Sequence, residues 1–295
     1  MAGRSITLVE RTIELPDHGS TVVADIAGPE GAPVVMLLHG LGATGRLNWG
    51  RCFESLSQHF RVLILDQRGH GRGLRTRRFS LEECADDAAH AAAELGVRRF
   101  IAVGYSMGGP VAALTWRRHP KQVEGLVLCA TARHFTSRVL ARLARATLPA
   151  AAATARLVPG AVRRRMLQRL LVRVEHPKLR DRIRGELLGH EPATVIQAAE
   201  ALTRFSSHDW IGRVDVPTAV VVTTLDELVP PIRQRKLARS IPDADVFEVE
   251  ADHDACVNSR DFPPALLRAC LRVAERGAAS RSQECEPRPS SSSLR

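Results

Sequence analysis

Seven short runs of apolar and β-branched residues punctuate the chain: TVVADIA (21–27), VVMLL (34–38), RVLIL (61–65), FIAVG (100–104), GLVLCA (125–130), TAVVVTT (218–224) and DVFEVE (245–250). From residue 34 onward they are continuous rather than alternating, which is the pattern of strands covered on both faces. Stretches of helical character lie between them. SLEECADDAAHAAAEL (80–95) opens with Ser80 and Glu83 at a capping-box spacing. MGGPVAALTWRRHP (107–120) stops at a proline, PPIRQRKLARSI (230–241) starts on two, and FPPALLRACLRVAERG (262–277) ends at Gly277. Strands alternating with helices predict an α/β fold, with a mostly parallel sheet flanked by helices. The first run, with TLVERTIEL before it, alternates and predicts an antiparallel edge pair.

The rhythm fails between about residues 132 and 210, where the chain is helical in composition, strand-poor and basic. This predicts an insertion at 132–210 that divides a core made of 1–131 and 211–277. Beyond Gly277 the Ser/Pro/Arg-rich tail, 278–295, is expected to be disordered. The net charge of +10 is concentrated in the insertion: residues 133–190 hold fourteen Arg and Lys against three acids. Aromatic residues are not interleaved with these cations and no nucleic-acid-binding module is visible, so nucleic acid is not the expected partner. At the N-terminus, MAGRSITLVE has no apolar h-region, and no uncharged apolar run is long enough to span a bilayer. The six cysteines are scattered without a C-x-x-C pair or a zinc-ligand spacing. They are expected to be reduced thiols of a cytoplasmic protein, with Cys129 as core filling.

Chemistry enters at FIAVGYSMGGP. Gly104-Tyr105-Ser106-Met107-Gly108 stands between a predicted strand and a predicted helix, the setting of a G-x-S-x-G nucleophile elbow. The glycines two before and two after Ser106 let the turn close, and the backbone N–H of Met107 can face a developing negative charge. A second such donor has to come from another loop. VVMLLHGLGATG offers the amide of Leu41, while His39 reads as a structural hydrogen-bonding group or, alternatively, a base. Phosphate binding is not supported, because neither G-x-G-x-x-G nor G-x-x-x-x-G-K-[ST] occurs in these loops.

An orienting acid belongs at the C-terminal end of a strand, and Asp226 stands just past 218–224, with Glu227 beside it expected to face outward. No acid follows GLVLCA directly. His253 comes after the last strand, between Asp252 and Asp254, which are expected to be turn and cap residues. The chain order is then Ser106, Asp226, His253. In such a set the histidine takes the serine proton, and the aspartate fixes its tautomer and stabilises its cation. The bland reading of His253 is a helix-capping histidine.

LLHGLG, DQRGHG, GYSMGG, TTLDELVP and DHDACV, in this order, resemble the α/β-hydrolase fold superfamily over roughly 20–275 apart from the insertion. The resemblance implies an eight-stranded sheet with its second strand antiparallel, a Ser-Asp-His triad and a helical lid after the sixth strand, here 132–210. Two positions depart from the family pattern: Gly73 stands where serine is frequent, and Asp252 where glycine commonly precedes the histidine, which crowds the base. Asp66, Arg68 and His70 are assigned to loop structure, with a substrate-facing role for His70 as the alternative.

A serine at the elbow, rather than the aspartate of related dehalogenases and epoxide hydrolases, suits an esterase or lipase that cleaves a small apolar carboxylic ester, thioester or lactone through an acyl-enzyme. No metal or organic cofactor is implied. Carbon–carbon bond hydrolases and acyltransferases with the same triad are an alternative, and a non-catalytic ligand-binding protein on the same scaffold is another. In SRVLARLARATL, Val139, Leu140, Leu143 and Thr147 fall on one helical face, with Arg138, Arg142 and Arg145 on another. Such a lid either covers the pocket with its arginines solvated, rests weakly on an anionic membrane surface, or guides an acidic substrate such as a carboxylate or an acyl-CoA.

Overall fold

The computed structural model describes residues 7–15, 19–136, 138–162, 165 and 189–285. Eight strands form one sheet: β1 (Leu8–Leu15), β2 (Gly19–Ile26), β3 (Val34–Leu38), β4 (Arg61–Leu65), β5 (Phe100–Tyr105), β6 (Val123–Cys129), β7 (Thr218–Thr223) and β8 (Asp245–Val249). Their order is β1-β2-β4-β3-β5-β6-β7-β8. β2 is antiparallel to both β1 and β4, and every pairing from β4 to β8 is parallel. The mostly parallel, eight-stranded sheet and its antiparallel edge pair match the sequence expectation.

Two apolar layers cover the sheet. Along β3, Val35 and Leu37 point into one layer and Met36 and Leu38 into the other, all four completely buried. β6 and β7 divide in the same way: Leu126, Leu128, Val220 and Val222 face one side, and Val127, Cys129, Ala219 and Val221 the other. A strand buried on both faces cannot alternate apolar with polar, hence the continuous runs. β8 differs from the expected continuous burial, because Val246 and Glu248 are exposed. It is the edge strand, so part of its surface faces solvent.

Helices whose bounds fall among the described residues are α1 (Gly45–Trp49), α2 (Phe53–Ser57), α3 (Leu81–Glu94), α4 (Gly108–Arg118), α5 (Arg138–Ala155), α6 (Pro192–Arg204), α7 (Pro231–Ala238), α8 (Ala255–Asn258) and α9 (Phe262–Cys285). α3 is capped by Ser80, whose Oγ accepts from Glu83 N at 3.3 Å. The reciprocal half of a capping box is replaced, since the Glu83 carboxylate pairs with Arg68 at 2.8 Å. α9 corrects the expected boundary at Gly277: the helix runs on to Cys285. One glycine costs a helix interior only about 1 kcal/mol, and Ala278, Ala279, Arg281, Gln283 and Glu284 are good to moderate helix formers. Residues 286–295 lie outside those described.

After β6 the chain leaves the sheet, forms α5 and α6, which pack on each other, and returns at β7. The neck of this excursion is tied: Ser207 N donates to Arg133 O at 3.0 Å, and the His134 and His208 rings hydrogen-bond at 2.8 Å. The side chains of 138–143, on which the amphipathic reading of α5 rests, and most of the basic stretch 162–184 lie outside the described residues. Among the described residues, no helix is long and apolar enough to cross a membrane. Cys52, Cys84, Cys129, Cys256 and Cys270 are buried free thiols, and burial raises all five well above the ordinary thiol range.

Candidate active site

Parallel strands β3 to β8 end at one edge of the sheet, and the loops that follow them converge there. Ser106 follows β5 directly, with φ of 51°, a conformation that costs a residue with a Cβ about 1–2 kcal/mol. Its surroundings hold it in place. Ser106 N donates to Cys129 O at 2.9 Å, while Ser106 O accepts from Gly109 N at 3.0 Å and from Thr131 Oγ1 at 2.8 Å. The flanking glycines are sterically required. A Cβ on Gly104 would stand 2.1 Å from Gly108 O, and one on Gly108 would stand 2.0 Å from Leu38 O. The turn is thus pressed against both its own helix and the end of β3.

His253 lies in the loop between β8 and α8. Its Nε2 is 2.9 Å from Ser106 Oγ and its Nδ1 is 2.7 Å from Asp226 Oδ2. A carboxylate only accepts, so Nδ1 carries the hydrogen and the Nε2 lone pair is left for the serine hydroxyl. The loop is pinned from beneath by Tyr105, whose hydroxyl donates to His253 O at 2.8 Å. Asp226, with its side chain completely buried, also accepts from Thr223 Oγ1 at 2.8 Å and from Val229 N at 2.8 Å, and Gln234 Nε2 lies 3.2 Å from its Oδ2. Glu227 is exposed, as expected. The three predicted residues are therefore brought together in a single hydrogen-bonded row. Thr223 and Gln234 were not singled out from the sequence, because nothing in their spacing separates them from ordinary strand and helix residues.

The loop after β3 closes on the serine: a Cβ on Gly40 would come within 3.4 Å of Ser106 Cβ. Gly40 N donates to Asn48 Oδ1 at 3.0 Å. His39 is buried with both ring nitrogens engaged, Nδ1 toward Gly40 O at 2.8 Å and Nε2 accepting from Gln67 N at 2.9 Å. Burial lowers it to about 3, so it is neutral. This is the structural role rather than that of a base. Among the described residues the amides of Leu41 and Met107 donate to no protein group, which leaves both predicted donors free at the serine's end of the sheet.

Asp66, Arg68 and His70 hold the loop after β4. Asp66 accepts from Gly45 N at 2.7 Å and from Arg72 N at 2.9 Å. Arg68 is buried in a two-pronged pair with Asp87, at 2.5 and 2.8 Å. His70 is buried, its Nδ1 is 2.9 Å from Arg68 O, and desolvation lowers it to about 3. The returning end of the excursion grips this loop, with Glu191 N donating to Gly69 O at 2.8 Å and Arg75 to Gly189 O at 2.6 Å.

Asp252 and Asp254 flank the histidine and are both exposed. Asp254 N donates to Asp252 Oδ1 at 3.2 Å, a turn contact, and Asn258 donates to the Asp254 carboxylate. Partial burial and the neighbouring Asp252 charge push Asp254 up to about 6. Around the serine's end of the sheet several large apolar side chains are exposed: Leu41, Leu225, Leu228 and Ile232. No cluster of three or more potential metal ligands occurs among the described residues.

Known proteins with the same architecture carry related names. The chain is 32% identical over 244 residues to a pimeloyl-[acyl-carrier protein] methyl ester esterase of Chromobacterium violaceum, covering 79% of this chain and 92% of that protein. A thermophilic esterase from Thermogutta terrifontis, solved with malate bound, superposes with a TM-score of 0.71 at 27% identity, covering 90% of this chain and 98% of the other. The enol-lactonase from Burkholderia xenovorans LB400 superposes with a TM-score of 0.73 at 24% identity, covering 88% and 100%; at that identity the likeness speaks for the fold alone. The sequence profile of the alpha/beta hydrolase fold matches residues 33–259. With its strand order, elbow and profile in agreement, the chain belongs to the alpha/beta hydrolase fold family.

Proposed function

We propose that the protein is a serine hydrolase that cleaves a carboxylic ester, thioester or lactone of a small apolar molecule through an acyl-enzyme. The observation that carries this reading is the row Ser106 Oγ, His253 Nε2, His253 Nδ1, Asp226 Oδ2, with gaps of 2.9 and 2.7 Å across it. His253 removes the Ser106 proton as Oγ bonds to the acyl carbon. The carbonyl electrons move onto oxygen, where the Leu41 and Met107 amides receive the charge. Removing one such donor typically costs about 10²–10³ in rate. The imidazolium then protonates the departing alkoxide as the C–O bond breaks. In the second half, water gives a proton to His253 as its oxygen attacks the acyl carbon; the C–Oγ bond then breaks, and the imidazolium returns the proton to Ser106 Oγ as the acid departs. Asp226 stays ionised and holds the ring's tautomer throughout.

The relatives named esterase, methyl ester esterase and lactonase support ester cleavage as the general chemistry. The exposed Leu41, Leu225, Leu228 and Ile232 favour an apolar group on the substrate. Residues 132–210 act as the helical lid in this reading. The five buried free thiols, Cys52, Cys84, Cys129, Cys256 and Cys270, fit a cytoplasmic setting.

Fluorophosphonate labelling tests the proposal. Stoichiometric modification at Ser106 is expected, lost in Ser106→Ala together with p-nitrophenyl ester turnover, which should fall by at least about 10³-fold. An unlabelled wild-type protein, or a Ser106→Ala variant that still turns over, would remove the hydrolase reading. Turnover across p-nitrophenyl esters of increasing chain length then separates an ester hydrolase from a carbon–carbon bond hydrolase or acyltransferase.

A further inference from the structure

Asp226 sits in the loop that joins β7 to α7, and a loop by itself does not fix a carboxylate to the tolerance a proton relay needs. Gln234, on α7, is completely buried. Its amide spans the loop. Oε1 accepts from Thr223 N at 3.0 Å, where β7 ends. Nε2 donates to Val229 O at 2.7 Å and to Thr223 Oγ1 at 2.8 Å, and lies 3.2 Å from Asp226 Oδ2. The amide orientation follows from chemistry: flipped, its oxygen would face the Val229 carbonyl and the Asp226 carboxylate, both acceptors. The Thr223 hydroxyl, accepting from Gln234, turns its own hydrogen to Asp226 Oδ2 at 2.8 Å. Val229, whose carbonyl Gln234 holds, turns its N–H to Asp226 Oδ1 at 2.8 Å. One side chain therefore orders the donors to both carboxylate oxygens, and one of those oxygens is the acceptor for His253 Nδ1.

We infer that Gln234 is a positioning residue for hydrolysis: through Thr223 and Val229 it fixes the Asp226 carboxylate that orients His253. The inference rests on the hydrolase reading given above. Because Gln234 reaches the reacting atoms only through other groups, its loss should act on the chemical step and leave substrate binding alone. Misplacing a relay by a fraction of an ångström to 1 Å costs up to about 10²-fold in rate.

The test is p-nitrophenyl butyrate hydrolysis by wild type, Gln234→Met, Thr223→Val and the double variant. Methionine keeps the length of the side chain and removes its donors; valine keeps the shape of threonine and removes its hydroxyl. Gln234→Met is expected to lower kcat by about tenfold to a hundredfold with KM within about twofold. Thr223→Val should lower it by about tenfold. Acting on the same carboxylate, the two together should fall short of the product of their separate effects. A labelled, active wild type with kcat unchanged in Gln234→Met, or a loss confined to KM, would overturn the inference while leaving the hydrolase reading intact. Effects that multiply in full would overturn it as well. Should Gln234→Met not fold, an unchanged kcat in Thr223→Val would be decisive against it. Absence of Ser106 labelling in the wild type would bring down the hydrolase reading, and this inference with it.

Discussion

Acidification from pH 7 to pH 5 should weaken the fold through two histidines that the interior keeps neutral. His39 and His70 are both buried, with ring centroids 5.2 Å apart, and burial lowers each to about 3. In the unfolded chain an ordinary histidine titrates near 6.5. The folded values lie below the unfolded ones, so the stability these residues contribute is complete above about 6.5. It is lost as the pH falls from there toward 3. At pH 5 a histidine held at about 3 tilts the balance toward the unfolded form by about 2 kcal/mol. The structural reason is plain for His39: a proton on Nε2 would displace the hydrogen bond it accepts from Gln67 N at 2.9 Å. Urea titrations of wild type and His39→Gln at pH 7 and pH 5 measure this. Asp254, raised to about 6, works in the opposite sense over the same range, and comparison of the two proteins cancels it. The variant is less stable at pH 7, and its loss on acidification should be smaller than that of wild type by about 2 kcal/mol. Parallel losses in the two proteins would refute the reasoning.

Two further outcomes can be checked by denaturation. Breaking the buried Arg68–Asp87 pair by Arg68→Met should cost about 3–5 kcal/mol by leaving Asp87 without its cation, and adding Asp87→Leu should recover much of that loss. At the elbow, Ser106→Gly should be more stable than Ser106→Ala by about 1 kcal/mol, because the φ of 51° strains alanine and not glycine; equal melting temperatures would show that the turn is unstrained.

Much of this arrangement was legible in the chain. The strand runs at 34–38 and 61–65 coincide with β3 and β4, and the remaining predicted strands fall within two residues of those observed. Burial on both faces writes itself as unbroken apolar sequence. Ser106, Asp226 and His253 were legible because each follows such a run, and a parallel sheet sends those ends to one edge. Other features leave no local trace. Gln234 lies on a helix whose neighbours Arg233, Arg235 and Lys236 are polar too; only tertiary contact distinguishes the buried amide from the solvated charges. Asn48 is likewise one polar residue in a short helix until Gly40 is laid against it. The continuation of α9 past Gly277 was missed because glycine was read as a stop, whereas here it takes a helical conformation in mid-helix.

The serine and its histidine are 147 positions apart in the chain. During translation the hydroxyl at 106 emerges long before the imidazole at 253, and the last strand has to add itself to the sheet's edge before the two can meet. On the hydrolase reading proposed above, a half-made polypeptide is chemically idle even where its central strands have already assembled, and acyl transfer waits for the C-terminal half of the sheet.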